Sequence, residues 1–287
     1  MHCEAEGRAA AERFRHDHHL GVQPLGDLVA LIEQSADIDV AVLDAGPDEH
    51  GLTMRDPQRG AVFIGVARTH RPMRQRSTLA HELGHVVLGD WVDSDAADRS
   101  QRPPAEIRAD VFARHLLLPI DGLRGFLGDP RAITLATLST VVQRFLVSPS
   151  IAAIALEQAG YIGKAVKREW MTTSALRLAV QFGWGDQYRA LQADSDRRRA
   201  PQRLLARTIH GYVDGVLSAQ VIANLRGVSL TGAVAELREA GIVPTPQVVT
   251  WVDPDELPEA HVDLTDLDVD LRATAEPSDT AAEPEGR

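Results

Sequence analysis

The sequence contains a single cysteine, Cys3, so no internal disulfide can form. It has no run of about eighteen apolar residues, which excludes a transmembrane helix of ordinary length. Its first residues, Met1-His2-Cys3-Glu4-Ala5-Glu6, carry no apolar stretch of the signal-peptide kind. Together these absences lead to the expectation of a reducing intracellular compartment, the cytoplasm. Charge of one sign is also scarcer than it looks. The net charge is −11, but residues 253–287 alone hold twelve Asp and Glu against two Arg. Acidity therefore belongs to a tail and says little about what the remaining, nearly neutral chain binds.

What is present is a soluble globular composition, 44% hydrophobic and 25% charged, in a chain long enough for one large or two ordinary domains. Residues 4 to about 19 are rich in Ala and charge and read as a short helix. It ends in Arg15-His16-Asp17-His18-His19, a solvated terminus rather than a metal site. Asp27 to Glu33 has apolar residues at helical spacing. Three strand-like runs follow, at 38–43, 51–55 and 61–66, separated by Gly- and Pro-bearing turns. Their short connections suggest a small antiparallel sheet, with Val62 to Val66 the best buried run. His70-Arg71-Pro72 then breaks the chain before a helix that begins near Arg76.

That helix carries His81-Glu82-Leu83-Gly84-His85, an HExxH pattern. Residues four apart on a helix share a face, so His81 and His85 can direct two imidazole nitrogens at one metal ion. Glu82, one position on, can reach a water in an open coordination position and act as general base. Leu79, Ala80, Leu83, Val86, Val87 and Leu88 bury much of the helix. Buried histidines and a carboxylate are costly unless paired or bound to metal. Gly84 inside the helix costs roughly 1 kcal/mol relative to Ala, which signals a close approach there.

A third ligand is expected downstream. Pro103 and Pro104 introduce a helix closed by Pro119, with Ile107, Val111, Phe112, Leu116 and Leu118 as its apolar stripe. Glu106 and Asp110 are four apart on one face. Glu106 can complete a His₂Glu set, while Asp110 can accept a hydrogen bond from the far nitrogen of a ligand histidine. For an oxyanion donor the candidates are His70, Arg76 and His115, and the sequence does not choose among them.

The two motifs, R-x-R-S-T-L-A-H-E-L-G-H-V-V-L at 74–88 and E-x-x-A-D-x-F-A-x-x-L-L-L-P at 106–119, resemble the ImmA/IrrE family of metallo-endopeptidases, relatives of the gluzincins. With the three strands, the resemblance covers about 25–160. It implies zinc, or manganese in the cell, held by His81, His85 and Glu106, with Glu82 activating water and Asp110 supporting a ligand. Members often carry Phe where Ser77 stands and a second Glu where Arg108 stands.

The resemblance implies an α+β fold. A mostly helical zincin-like domain with a small antiparallel sheet (25–162) would follow an N-terminal extension (1–24). A helical region (163–252) and a disordered acidic tail (253–287) would come after it, with Asp263 to Asp270 alternating acid and apolar residues. Helices are expected at 121–127, 134–146 and 149–159. The last, entered through Val147-Ser148-Pro149, looks like part of a helix-turn-helix, and similar residues recur at Val228 to Gly241 with Leu217 to Leu225 before them. Pro149 to Gly160 has no basic residue, and Leu230 to Gly241 has only Arg238 between Glu236 and Glu239. Direct DNA binding is therefore disfavoured, since base and phosphate contacts need basic and amide side chains. Arg197-Arg198-Arg199 and Arg203 read as a linker with solvated faces. In the resembling family the substrates are typically helix-turn-helix (XRE-type) repressors, which implies proteolytic control of transcription, as in stress responses. The alternative is a non-catalytic partner- or DNA-binding module with a structural metal.

Overall fold

The computed structural model describes residues 2–46, 51–91, 103–129, 132–246 and 253. Two compact units divide the chain, 1–245 and 246–287, and nearly all of the second lies outside the described residues. The expected disordered tail, with its acid–apolar stretch 263–270, falls there. Among the described residues no single helix is long and apolar enough to cross a membrane.

The fold is mostly helical with one three-stranded sheet. A first helix, α1 (His2–Asp17), precedes α2 (Leu28–Ser35), whose N-terminus is capped by the Asp27 side chain on Ala30 N–H. Strands β1 (Asp39–Leu43), β2 (Gly51–Arg55) and β3 (Val62–Ala67) come next. The sheet is mixed rather than antiparallel: its order is β1-β3-β2, with β3 parallel to β1 and antiparallel to β2. The short connections do reverse the chain at each turn, as expected. However, β2 lands one strand-width away from β1, and β3 fills the gap, so that it runs with β1. β3, the best apolar run, is accordingly central.

Helix α3 (Pro72–Leu88) lies on this sheet. It starts at Pro72, one turn before the expected Arg76, because proline is suited to the first helical position, where its missing N–H costs nothing. It stops at Gly89, and Asp90 N–H then bonds back to His85 O at 2.9 Å. Helix α4 (Pro104–Leu117) packs against α3 on one side and α1 on the other. Burial of α4 begins at Ala109, where both neighbours cover it, which leaves Ile107 39% exposed despite its place in the apolar stripe. α1 is thus built into the core through Ala10, Ala11 and Phe14.

Helices α5 (Ile120–Leu127), α6 (Leu135–Phe145) and α7 (Pro149–Gln158) close the far side. α6 and α7 meet at 110°, within the range of a helix-turn-helix. The second helix is nonetheless core: Ile151, Ala152, Ala153, Ala155 and Leu156 are all buried. The same core continues through α8 (Lys164–Trp170), α9 (Ala175–Gln181) and α10 (Gly185–Ser195), where buried Trp184 donates to Ser139 Oγ at 2.9 Å. Helices α11 (Gln202–Val213), α12 (Ala219–Arg226) and α13 (Leu230–Glu239) gather round a small second cluster of Ala219, Ile222 and Leu237.

Between α10 and α11 the arginine-rich stretch is not a solvated linker. Arg199 pairs with Val42 of β1 through two backbone hydrogen bonds, 2.9 and 3.0 Å. Arg198 reaches Asp44 at 3.3 Å, Arg199 reaches Asp27 at 2.7 Å, and Arg203 holds Asp39 at 2.9 Å and also Asp37. The acidic groups around β1 thus fasten these cations as a strap across its edge.

Candidate metal centre

Helical spacing and one close crossing build the site. At Gly84 an added Cβ would sit 3.1 Å from both Ala109 Cα and Phe112 Cδ1, so the missing side chain lets α3 and α4 approach closely. Asp90, just past the end of α3, takes a two-pronged hydrogen bond from Arg108 of α4, at 2.6 and 3.2 Å. Arg108 also lies 3.6 Å from Glu6 of α1. These contacts set the register between the helices two residues from Glu106, and they explain what an arginine does at this position. Ser77, the other departure from the family pattern, donates to Met73 O at 2.9 Å within its own helix.

In that register His81, His85 and Glu106 converge, with their ligand atoms all within 4.8 Å of one another. His81 Nε2 and His85 Nε2 are 3.1 Å apart. Glu106 Oε2 is 3.3 Å from His81 Nε2, and its Oε1 is 3.3 Å from His85 Nε2. Three donors about 2.1 Å from a tetrahedral metal would be separated by about 3.4 Å. The observed separations match that figure closely, so the residues fit a metal of zinc's size and ligand preference.

The far side of His81 is held by Asp110, whose Oδ1 lies 2.8 Å from Nδ1. Burial alone would push the His81 imidazole down. The Asp110 hydrogen bond and the nearby charges of Asp110, Glu106 and Glu82 outweigh it and raise the pKa above the usual 6.5. His85 is less firmly oriented, since its Nδ1 is buried and has no hydrogen-bond partner among the described residues.

Glu82 meets a residue that motif reading missed. Thr53, in the middle of β2, donates from Oγ1 to Glu82 Oε2 at 2.7 Å. Thr53 pairs with Ile64 across the sheet, so its side chain points toward α3 with that buried residue. Gly51, two residues earlier on the same face, allows the approach. A Cβ there would lie 2.7 Å from Glu82 Oε1 and 2.7 Å from Thr78 Cγ2.

The three oxyanion candidates are engaged elsewhere. Arg76 donates to the carbonyls of Leu25, Gly26 and Leu146 at 2.7, 2.6 and 3.2 Å, and burial pushes its pKa down to about 10. His70 lies 3.4 Å from Asp196 and is largely exposed. His115 faces α1, where its Nε2 is 3.3 Å from Glu4. Nine residues past Glu106, it projects from nearly the opposite side of α4.

Residues 33–157 match the IrrE N-terminal-like domain of a peptidase family. That stretch of the chain belongs to the IrrE N-terminal-like peptidase family. The match spans β1 to α7 and includes both helices of the metal cluster. It supports a metallopeptidase-type function for the IrrE-like domain and agrees with its His-His-Glu group. No curated protein matches the chain.

Proposed function

We propose that this chain is a zinc-dependent endopeptidase that cleaves a regulatory protein in the cytoplasm. The observation carrying this reading is the convergence of His81, His85 and Glu106 one residue from a carboxylate that β2 holds in place. When bound, the zinc ion would polarise a peptide carbonyl and lower the pKa of a water in its open position from about 15.7 to roughly 7. Glu82 would act as the general base and acid, holding at its carboxylate a proton taken from the attacking water and returning it to the leaving amine. Thr53 keeps the carboxylate turned toward the cleft through its hydrogen bond to Oε2. Asp110 holds the proton on His81 Nδ1, which leaves Nε2 as the metal-facing nitrogen. Manganese is the alternative occupant.

An extended substrate segment pairs with β2. This strand forms an edge of the sheet, its side chains are largely exposed, and it lies beside Glu82. Unpaired strand edges accept a peptide through main-chain hydrogen bonds. The substrate class, a helix-turn-helix (XRE-type) repressor, rests on the family resemblance alone. Direct DNA binding by this chain is not part of the reading: α7 is core, and Arg226 ahead of α13 is occupied by Glu236 at 2.5 Å. A non-catalytic module with a structural metal has no use for a carboxylate positioned as Glu82 is.

The test is to incubate the protein with the helix-turn-helix repressor encoded nearest to it, comparing wild type with Glu82→Gln and with a chelator. Cleavage by wild type alone is expected. Cleavage that survives either Glu82→Gln or the chelator would remove the mechanism.

A further inference from the structure

A cavity of about 500 Å³ opens between α1, the turn that follows it, and the junction of α4 with α5. None of the three metal-cluster residues lines it. Two arginines, Arg8 and Arg15, and three imidazoles, His16, His19 and His115, do. Arg15 is the informative member. Its sequence position suggests a solvated helix end, yet it is only 4% exposed. Its Nε and one terminal nitrogen donate to Leu116 O at 2.8 and 2.5 Å, and the other donates to Gly21 O and Gln23 O at 2.7 and 3.1 Å. Every partner is a neutral carbonyl. Burial pushes its pKa down to about 10, with no carboxylate acting to raise it.

A buried cation is ordinarily paired with an anion, because carbonyl dipoles return only part of the lost hydration. The C-terminal end of α4, where Leu116 sits, contributes roughly half a negative charge and no more. The carboxylates on the cavity wall do not make up the difference. Glu12 is bound to Arg8 at 2.7 Å, and Asp121 projects into solvent 3.8 Å from Arg124. His115, 5% exposed, is pushed down by burial against the opposing pull of Glu4, to which its Nε2 is turned at 3.3 Å, and so adds no second full charge to the wall.

We propose that this cavity binds a small polyanion, of the phosphate or polycarboxylate class, which supplies the counter-charge that Arg15 lacks in the protein itself. The volume falls within the roughly 300–1,000 Å³ typical of small-molecule sites. His16 and His19 stand at the rim with Arg8, whose Nε is bound to Glu12 and whose terminal nitrogens would make its contact with an oxyanion group. The site brackets α1 against α4, the helix that carries Glu106, on the face turned away from the metal. It is therefore a second site, independent of the peptidase chemistry.

The test is calorimetric titration of the full chain with pyrophosphate and, separately, with citrate, at constant ionic strength set by sodium chloride. Saturable binding of either anion at one site, with a Kd below about 1 mM, is expected, and which of them binds more tightly identifies the class. The double variant Arg8→Ala with His19→Asn alters only rim residues and keeps a side chain tolerant of the left-handed backbone at position 19 (φ 54°). It should weaken binding at least about tenfold with an unchanged circular dichroism spectrum. Arg15→Met should abolish binding, and the double variant decides the matter if that protein does not fold. No saturable heat with either anion would overturn the proposal. So would binding unchanged in the double variant, as would occur if the anion simply drew on a bound metal.

Discussion

The two edges of the small sheet have opposite fates. The β1 edge is closed: Arg199 completes its hydrogen bonding at Val42, and Arg198, Arg199 and Arg203 tie the strap to four aspartates. The β2 edge carries no further strand among the described residues, and Leu52 and Met54 are 43% and 54% exposed. It is this open edge whose Thr53 touches the Glu82 carboxylate. A free strand edge is normally a liability for pairing with other chains. Here the edge remote from Glu82 is blocked, and the one beside Glu82 is left open among the described residues. The strap is formed of residues beyond the matched family stretch, so the C-terminal helices protect the sheet as well as enlarging the core.

Substitutions on the open edge should have the largest effects on activity. Gly51→Ala places a methyl group 2.7 Å from Glu82 Oε1. A displacement of about 1 Å at a catalytic group can cost on the order of 10²-fold, and kcat/KM should fall by that amount while the metal content is unchanged. Thr53→Val keeps the shape of the side chain but removes the hydroxyl. Loss of one hydrogen bond to a carboxylate, about 1.5 kcal/mol, should lower kcat roughly tenfold and leave KM almost unaltered. Equal loss in kcat from Thr53→Val and from a solvent-facing control such as Met54→Thr would erase the distinction drawn for Thr53.

The closed edge should behave in the reverse manner. Arg203→Ala breaks half-exposed ion pairs and should cost about 1 kcal/mol of stability in urea unfolding, with no change in peptidase rate. Acid should loosen the same strap. Burial opposes ionisation of Asp27, but its hydrogen bond from Ala30 N–H and its bridge to Arg199 outweigh that and hold its pKa below the usual 3.8. The unfolded chain binds that proton more readily, so the contribution is complete above pH 3.8 and disappears as the pH falls through the folded-state value. Hydrogen exchange at the Val42 amide, corrected for its intrinsic rate, should be steady from pH 5 to about pH 4 and quicken as the pH is taken below 3.8. Asp27→Asn should flatten that dependence.

The parts of the site that share a helix are legible in the amino-acid sequence. His81 and His85 follow from a spacing of four, as do Glu106 and Asp110, and Gly84 announces the crossing that brings the two pairs together. Thr53 and Gly51 are not legible there, because their role depends on strand register and on how the sheet lies against α3, neither of which is written locally. The sheet's mixed order escapes for the same reason: turn residues report that the chain reverses, not which strand it lands beside. His70, Arg76 and His115 are plausible donors by residue type alone, and packing decides otherwise. Arg76 is consumed by three carbonyls and His115 faces the wrong side of α4. The strap resembles a solvated linker in sequence because its counter-charges, Asp27, Asp37, Asp39 and Asp44, lie more than 150 residues earlier in the chain.

The most direct measurement is metal content per chain after dialysis against metal-free buffer, compared among wild type, Glu82→Gln and Glu106→Ala. A three-ligand site predicts one tightly held ion per chain in wild type and in Glu82→Gln, and loss of that ion in Glu106→Ala. Full retention of the metal by Glu106→Ala would contradict the account.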